Sequence, residues 1–138
     1  MRSRGFTLLE LLVVLVIIGL LAGIATPIYL NRAETARRQK IEADFATLAT
    51  ALSVYKLDNH AVPTTAQGLV ALVQKPVQAP VPGRYKQGGY LRELPIDPWG
   101  HDYLYLSPAP GGEKDYALWS YGADGARGGE GQDADVQF

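Results

Sequence analysis

The amino-acid sequence predicts an α+β fold, in which the C-terminal half of a long N-terminal α-helical spine packs on a short helix and a small antiparallel β-sheet. Three observations predict it. An apolar run over residues 8–30 continues into a helix-periodic stripe, aromatic-rich segments follow at 103–106 and 116–121, and the chain closes with an acidic, glycine-rich tail over 122–135. Beyond the apolar run about 100 residues remain, enough for one small core.

The predicted spine combines two kinds of apolar pattern. Residues 8–30 are almost uniformly apolar, which provides the ~20 residues that a membrane-spanning helix needs. Beyond them an apolar stripe with spacings of 4, 3, 4 and 3 indicates a helix with one buried face. The stripe consists of Ile41, Phe45, Leu48, Leu52 and Tyr55. Because Pro27 favours a bend, we predict one long, bent helix over residues 6–57, with its apolar half projecting.

A short second helix is predicted after the spine. Thr64 and Gln67 have the spacing of a capping box, and the helix should run to about Val73. It should end before Pro76, because the residue that precedes a proline disfavours the helical conformation. Residues 76–89 contain three prolines and three glycines, which predict an irregular surface loop.

The sheet is predicted from the second half of the domain. Residues 90–95 favour a short strand or an extended segment, and residues 97–100 (Asp-Pro-Trp-Gly) favour a turn. The aromatic-rich segments 103–106 and 116–121 are predicted strands, and residues 108–115 should connect them as a hairpin with a long loop.

One carboxylate interrupts the apolar run. Glu10 would cost roughly 2.5–3.5 kcal/mol in the centre of a bilayer, so it needs a partner or a function. A short basic head ends at Gly5, immediately before Phe6. If a protease cut after Gly5, Phe6 would carry a new N-terminal amine, and Glu10 could pair with such a cation on its own chain or on a neighbouring one.

Two other kinds of N-terminal segment fit this sequence less well. An ordinary secretory signal is cut after its apolar run, at small residues in an A-x-A arrangement, and residues 22–26 offer only a weak version of that site. A plain membrane anchor would leave Glu10 and the Gly5–Phe6 pair unexplained. The positive residues on the two sides of the run do not decide its orientation.

Composition argues against several classes of function. A net charge of −1 provides no basic face for nucleic acid. With no cysteine, only His60 and His101, and no G-x-S-x-G motif, the usual constellations of nucleophile and base are missing, so we do not expect an enzyme. The absence of disulfides means that the core, or a metal ion, must hold the domain together.

The tail is the second informative region. Residues 122–135 contain three aspartates, one glutamate and five glycines, a composition suited to calcium, although the EF-hand spacing is missing. Asp133 and Asp135 would face the same side of an extended strand. The alternative is a flexible acidic terminus. We expect the last fifteen or so residues of the chain, which include the end of this tail, to have few apolar groups that hold them against the sheet.

The motifs, taken in order, resemble a known family. They are the leader Gly5-Phe6 with Glu10, Pro63-Thr64-Thr65-Ala66-Gln67-Gly68-Leu69, Leu94-Pro95-Ile96-Asp97-Pro98-Trp99-Gly100, Ser120-Tyr121-Gly122-Ala123-Asp124-Gly125 and Asp133-Ala134-Asp135. Together they are similar to the major pseudopilins (G-type subunits) of type II secretion systems, within the type IV pilin-like superfamily. A type IV pilin of a surface pilus, used for adhesion, motility or DNA uptake, is the alternative. Such pilins usually close the C-terminal loop with a disulfide, which this chain cannot form.

The resemblance implies a domain organisation and a maturation step. It implies a cleaved leader over 1–5, a transmembrane and filament-core helix over 6–30 that includes Pro27, and a periplasmic domain over 31–138. Prepilin peptidase would cut between Gly5 and Phe6 and N-methylate Phe6. Glu10 would then pair with the Phe6 amine of an adjacent subunit during assembly. Before processing, the N-terminus would be cytoplasmic and the single span would lie in the inner membrane.

The resemblance also implies a metal and a set of partners. One calcium ion would bind the carboxylates of Asp124, Asp133 and Asp135 and the main-chain carbonyl of Tyr121. The subunits would form a helical homopolymer beneath an outer-membrane secretin, and this filament would help to drive folded exoproteins out of the cell. Minor pseudopilins, an inner-membrane assembly platform and prepilin peptidase would be partners, and the secretin and its cargo would be indirect ones.

Overall fold

A computed structural model describes residues 6–138, with the side chains of residues 23–31 outside the description. Helix α1 runs from Leu8–Asn59, which confirms the predicted long helix. Pro27 lies within α1, but its side chain is outside the described set, so the predicted bend stays a prediction. The helix passes through two compact units, of which the second is Arg37–Phe138.

The first turns of α1, from Leu8 to Leu21, expose their apolar side chains. The large apolar residues between Phe6 and Leu21 are each 47–82% exposed. Within the described part of the chain, no helix reaches both the length and the hydropathy that crossing a membrane requires. The predicted span over residues 6–30 includes residues outside the described side chains, so it stays a prediction.

The second unit has a closed apolar core. The predicted stripe of α1 is confirmed, since all five of its side chains are at most 3% exposed. Leu72, Tyr103 and Leu118 pack against this stripe from the rest of the domain. Burial of this face explains the 3.6-residue periodicity of the sequence, because only one side of the helix contacts the core.

The sheet has three antiparallel strands in the order β1 (Leu104–Leu106), β2 (Ala117–Ser120) and β3 (Val136–Gln137). The hairpin of β1 and β2 is confirmed, and Leu104 pairs with Trp119. Strand β3 was not predicted; it pairs with the other edge of β2, where Val136 lies opposite Ser120.

The prediction of a second helix that runs to about Val73 is wrong in the type and length of the helix. The capping box is present, because the Thr64 N–H donates to Gln67 Oε1 at 3.0 Å and the Gln67 N–H donates to Thr64 Oγ1 at 3.3 Å. The helical element that follows, however, is only a 3₁₀ turn over Leu69–Leu72. Gly68, with φ of 61°, separates the two, since a left-handed residue cannot continue a right-handed helix.

Residues 90–95 form no strand. The N–H groups of Tyr90 and Leu91 both donate to the carbonyl of Leu72, at 2.7 and 3.0 Å, so this segment is held against the 3₁₀ turn instead of a strand. The predicted turn over residues 97–100 is confirmed, because the Gly100 N–H donates to the Asp97 carbonyl at 3.1 Å.

Candidate functional site

The first candidate site is the start of α1. The N–H of Glu10 donates to Thr7 Oγ1 at 3.3 Å, and the N–H of Leu11 donates to the Thr7 carbonyl. Thr7 therefore caps the helix, and Glu10 occupies its first turn, where the positive end of the helix dipole favours a carboxylate. The role of Thr7 was missed in the sequence, although Thr7 and Glu10 have the spacing of a capping box.

The surroundings of Glu10 are chemically simple. Glu10 is exposed, and it is the only ionisable side chain in a sequence of apolar residues that extends from Phe6 to Ala22. This segment presents a continuous apolar surface with one fixed negative charge near its end. Such a surface suits an apolar environment that also provides one cation. The predicted cleavage at Gly5 falls outside the described residues.

The second candidate site is the C-terminal loop over residues 122–135. Its two ends meet, because the Ala123 N–H donates to the Gln132 carbonyl at 2.9 Å. A Cβ atom on Gly122 would lie 2.8 Å from the Gln132 carbonyl oxygen, and one on Gly129 would overlap the main chain of Asp133. Both glycines have positive φ, so they allow close contacts that other residues would prevent.

The predicted calcium ligands are arranged in a different way from a metal site. Asp124 Oδ1 accepts a hydrogen bond from the Ala126 N–H, and Asp135 Oδ1 accepts one from the Gly128 N–H, each at 3.0 Å. Over residues 6–138, no group of three or more His, Cys, Asp or Glu side chains is placed to hold a metal ion. The oxygen donors of Tyr121, Asp124, Asp133 and Asp135 have the chemistry that calcium prefers. Their arrangement in this structure does not gather them around one point.

A buried polar network lies at the entrance of the loop. Asp97 Oδ1 accepts hydrogen bonds from the N–H groups of Trp99 and His101, at 3.0 and 2.8 Å, and Asp97 Oδ2 accepts one from Ser120 Oγ at 2.7 Å. His101 Nδ1 lies 3.2 Å from the carbonyl oxygen of Gly122. The sequence predicted the turn at Asp97 but not its link to Ser120.

The end of the tail is held by contacts that the sequence did not reveal. Phe138 packs on Phe45 with ring centroids 5.7 Å apart, and its N–H donates to the Leu118 carbonyl at 3.0 Å. Arg37 Nη1 donates to Gln132 Oε1 at 2.8 Å, which joins the loop to α1. The expectation that few apolar contacts hold the tail was therefore wrong, because β3 and Phe138 attach it to the sheet and the core.

The fold and these sites define a class of protein. A long N-terminal helix exposes apolar side chains over its first turns, and then contributes one face to the core of a small α+β domain. This is the architecture of a pilin-like filament subunit. A prokaryotic N-terminal methylation motif matches residues 1–26, which agrees with that class.

The chain belongs to the type II secretion system protein G family, whose profile matches residues 28–138. It is 51% identical over 135 residues to the type II secretion system core protein G of Vibrio cholerae, covering 98% of this chain and 90% of that protein. It is 48% identical over 135 residues to the core protein G of Pseudomonas aeruginosa, covering 98% and 94% of the two chains. The crystal structure of the major pseudopilin from the type 2 secretion system of enterohaemorrhagic Escherichia coli aligns with a TM-score of 0.68 at 42% identity, over 78% of this chain and 90% of that one.

The chain is thus a major pseudopilus subunit of type II secretion, and the alternative of a surface type IV pilin is not supported. Family membership implies self-assembly into a pseudopilus within the secretion system. Together with the methylation motif it also implies a periplasmic protein anchored in the inner membrane. The family consists of structural subunits and is not a known class of enzyme.

Proposed function

We propose that copies of this chain polymerise through the N-terminal half of α1 into a periplasmic filament, which helps to drive folded exoproteins through an outer-membrane secretin. One observation carries the proposal: apolar side chains of the first unit are exposed, whereas the second unit closes its own core. An apolar surface of this size requires lipid or other protein to cover it. The inner membrane would cover it before assembly, and the helices of neighbouring subunits afterwards.

The proposed assembly begins with maturation. Prepilin peptidase cuts between Gly5 and Phe6 and then N-methylates the new amine of Phe6, which the methylation motif over residues 1–26 supports. The inner-membrane assembly platform then adds the subunit to the filament, together with minor pseudopilins. The mass of the mature chain tests this step. Retention of residues 1–5 in a cell that contains the peptidase would contradict it.

Glu10 gives the proposed assembly its register. A carboxylate in an apolar environment is costly, so pairing with the positively charged amine of Phe6 on an adjacent subunit lowers the free energy of the assembled state. A subunit shifted along the filament axis would leave both charges unpaired. The pair therefore favours one axial position among many that apolar packing alone would permit.

The substitution Glu10→Leu tests this role. It should leave membrane insertion and cleavage intact, because it makes the segment more apolar, yet it should impair filament growth and secretion. Glu42→Leu is the matched control, since Glu42 lies on an exposed position of α1 in the second unit. Filament yield, measured by shearing and electron microscopy, should fall for Glu10→Leu alone. Normal assembly and secretion by Glu10→Leu would show that the proposed pair has no function.

We also propose that the C-terminal loop binds one calcium ion through Asp124, Asp133, Asp135 and the Tyr121 carbonyl. The support is the oxygen-only donor set on a glycine-rich loop whose ends already meet at Ala123 and Gln132. Calcium would have to gather carboxylates that this structure holds apart. A cation that binds only the folded chain stabilises it by about 2.7 kcal/mol at 100 times Kd.

Thermal unfolding of the full chain in detergent, with calcium and with EGTA, tests the metal. The melting temperature should rise with calcium, and Asp124→Ala should abolish the rise. Glu113→Ala is the control, because it removes an exposed carboxylate from the hairpin loop and should leave the rise unchanged. Equal melting temperatures of the unsubstituted chain in the two buffers would overturn the calcium proposal.

A further inference from the structure

We propose that Ser120 and Asp97 are a positioning pair that fixes the first residues of the C-terminal loop, residues 122–135. The pair links the turn at residues 97–101 to the end of β2, 23 residues further along the chain, and to the first residue of the loop, which follows β2. This inference does not depend on the calcium proposal, since every contact that supports it is between protein atoms.

The burial of the pair is the first support. Asp97 is 2% exposed and Ser120 is 0% exposed, so both polar groups have lost water and need partners within the protein. Asp97 accepts hydrogen bonds from three donors, namely the N–H groups of Trp99 and His101 and the hydroxyl of Ser120. These bonds explain how a buried carboxylate is tolerated, because hydrogen bonds to an ionised group are the stronger ones.

The hydroxyl of Ser120 is the second support, because it both donates and accepts a hydrogen bond. It donates to Asp97 Oδ2 at 2.7 Å, and its oxygen accepts a hydrogen bond from the N–H of Gly122 at 3.2 Å. Because the hydroxyl proton points to Asp97, a lone pair of the hydroxyl oxygen is oriented toward the N–H of Gly122. Asp97 therefore acts on the loop through Ser120, and this makes it a positioning residue.

The position of Gly122 then determines the path of the loop. With φ of 74°, Gly122 directs the chain into contact with the main chain of Gln132 and Asp133, where a Cβ atom would overlap. The next residue, Ala123, donates to the Gln132 carbonyl. On the other side, the Gly122 carbonyl lies 3.2 Å from His101 Nδ1. The N–H of Gly122 thus has a partner in Ser120, its carbonyl lies within hydrogen-bond distance of His101, and the Ala123 hydrogen bond holds the two ends of the loop together.

Hydrogen exchange of backbone amides in the full chain, in detergent and with EGTA present, tests the pair. In Ser120→Ala, the amides of Gly122 and Ala123 should exchange at least tenfold faster, whereas those of α1 should be unchanged. Ser107→Ala is the matched control. It also removes one hydroxyl, which donates to the Asp115 carbonyl at the other end of the hairpin, and it should leave the Gly122 and Ala123 amides unaffected.

Two results would overturn the proposal. One is an unchanged rate at Gly122 and Ala123 in Ser120→Ala, and the other is an equal increase at all amides, which would indicate general destabilisation. If Ser120→Ala does not fold, hydrogen exchange of the unsubstituted chain still tests the proposal. Its Gly122 amide should be protected as strongly as that of Phe138, which donates to β2, and exchange at the rate of an unstructured peptide would contradict the pair. Since EGTA is present throughout, failure here is distinct from failure of the calcium proposal.

Discussion

The two halves of α1 differ in how they use apolar residues. Between Leu8 and Leu21 the large apolar side chains point in all directions and are exposed, whereas the stripe from Ile41 to Tyr55 lies on one face and is buried. A domain of about 100 residues can cover one face of a helix, but it cannot surround one. The uniformly apolar half of α1 therefore needs lipid or other subunits to cover it, whereas the half with the periodic stripe is covered by its own domain.

The largest expected effect compares two leucines, one from each half. Leu48→Ala removes a fully buried side chain and should lower the free energy of unfolding by about 2–5 kcal/mol. Leu15→Ala, at a position that is 69% exposed, should change this free energy by less than about 0.5 kcal/mol, but it should reduce filament yield. Denaturant unfolding of the detergent-solubilised chain measures the first effect. Similar losses of stability for both variants would remove the distinction between the halves.

The next largest effect concerns the attachment of the chain's C-terminal residues to the buried half of α1. Phe138→Ala should lower the free energy of unfolding by about 1–2 kcal/mol, since it removes a half-buried ring that packs on Phe45. Val77→Ala is the control, because Val77 is almost fully exposed and its truncation should cost little. The same denaturant experiment compares them. If Phe138→Ala were no more destabilising than Val77→Ala, the tail would not be part of the core.

The smallest effect tests the local capping box. Thr64→Ala should lower the free energy of unfolding by about 1 kcal/mol, because it leaves the N–H of Gln67 without its side-chain acceptor. Thr50→Ala makes the same chemical change on the exposed surface of α1, where Thr50 bonds only the preceding turn, and it should be neutral or slightly stabilising. Equal effects of the two threonine substitutions would show that the cap contributes nothing beyond the loss of a hydroxyl.

Features set by local pattern were predictable from the sequence. The length of α1, its buried stripe, the capping box at Thr64 and the hairpin of β1 and β2 each depend on residues that are close together in the chain. The family resemblance, read from motifs in order, also predicted the match to the protein G family. Hydrophobic periodicity and the residue types of turns are sufficient to predict such features, because each depends mainly on neighbouring residues in the sequence.

Features that depend on distant partners were not predictable in this way. Strand β3 is two residues long, too short to show alternation, and it is defined only by its pairing with β2. Asp97 and Ser120 are 23 residues apart, and nothing in either segment indicates that a turn carboxylate reaches a strand hydroxyl. Gly68 separates the capping box from the 3₁₀ turn because its backbone adopts a left-handed conformation, which the sequence permits but does not require.

Electron cryomicroscopy of pseudopili assembled from this chain would show where each half of α1 lies. We expect the apolar side chains between Leu8 and Leu21 to be buried inside the filament against the same segment of other subunits. We also expect the domains, residues 37–138, to lie outside with their cores unchanged. A filament in which these apolar side chains face solvent, and in which only the domains contact one another, would contradict the division of α1 into a half for assembly and a half for folding.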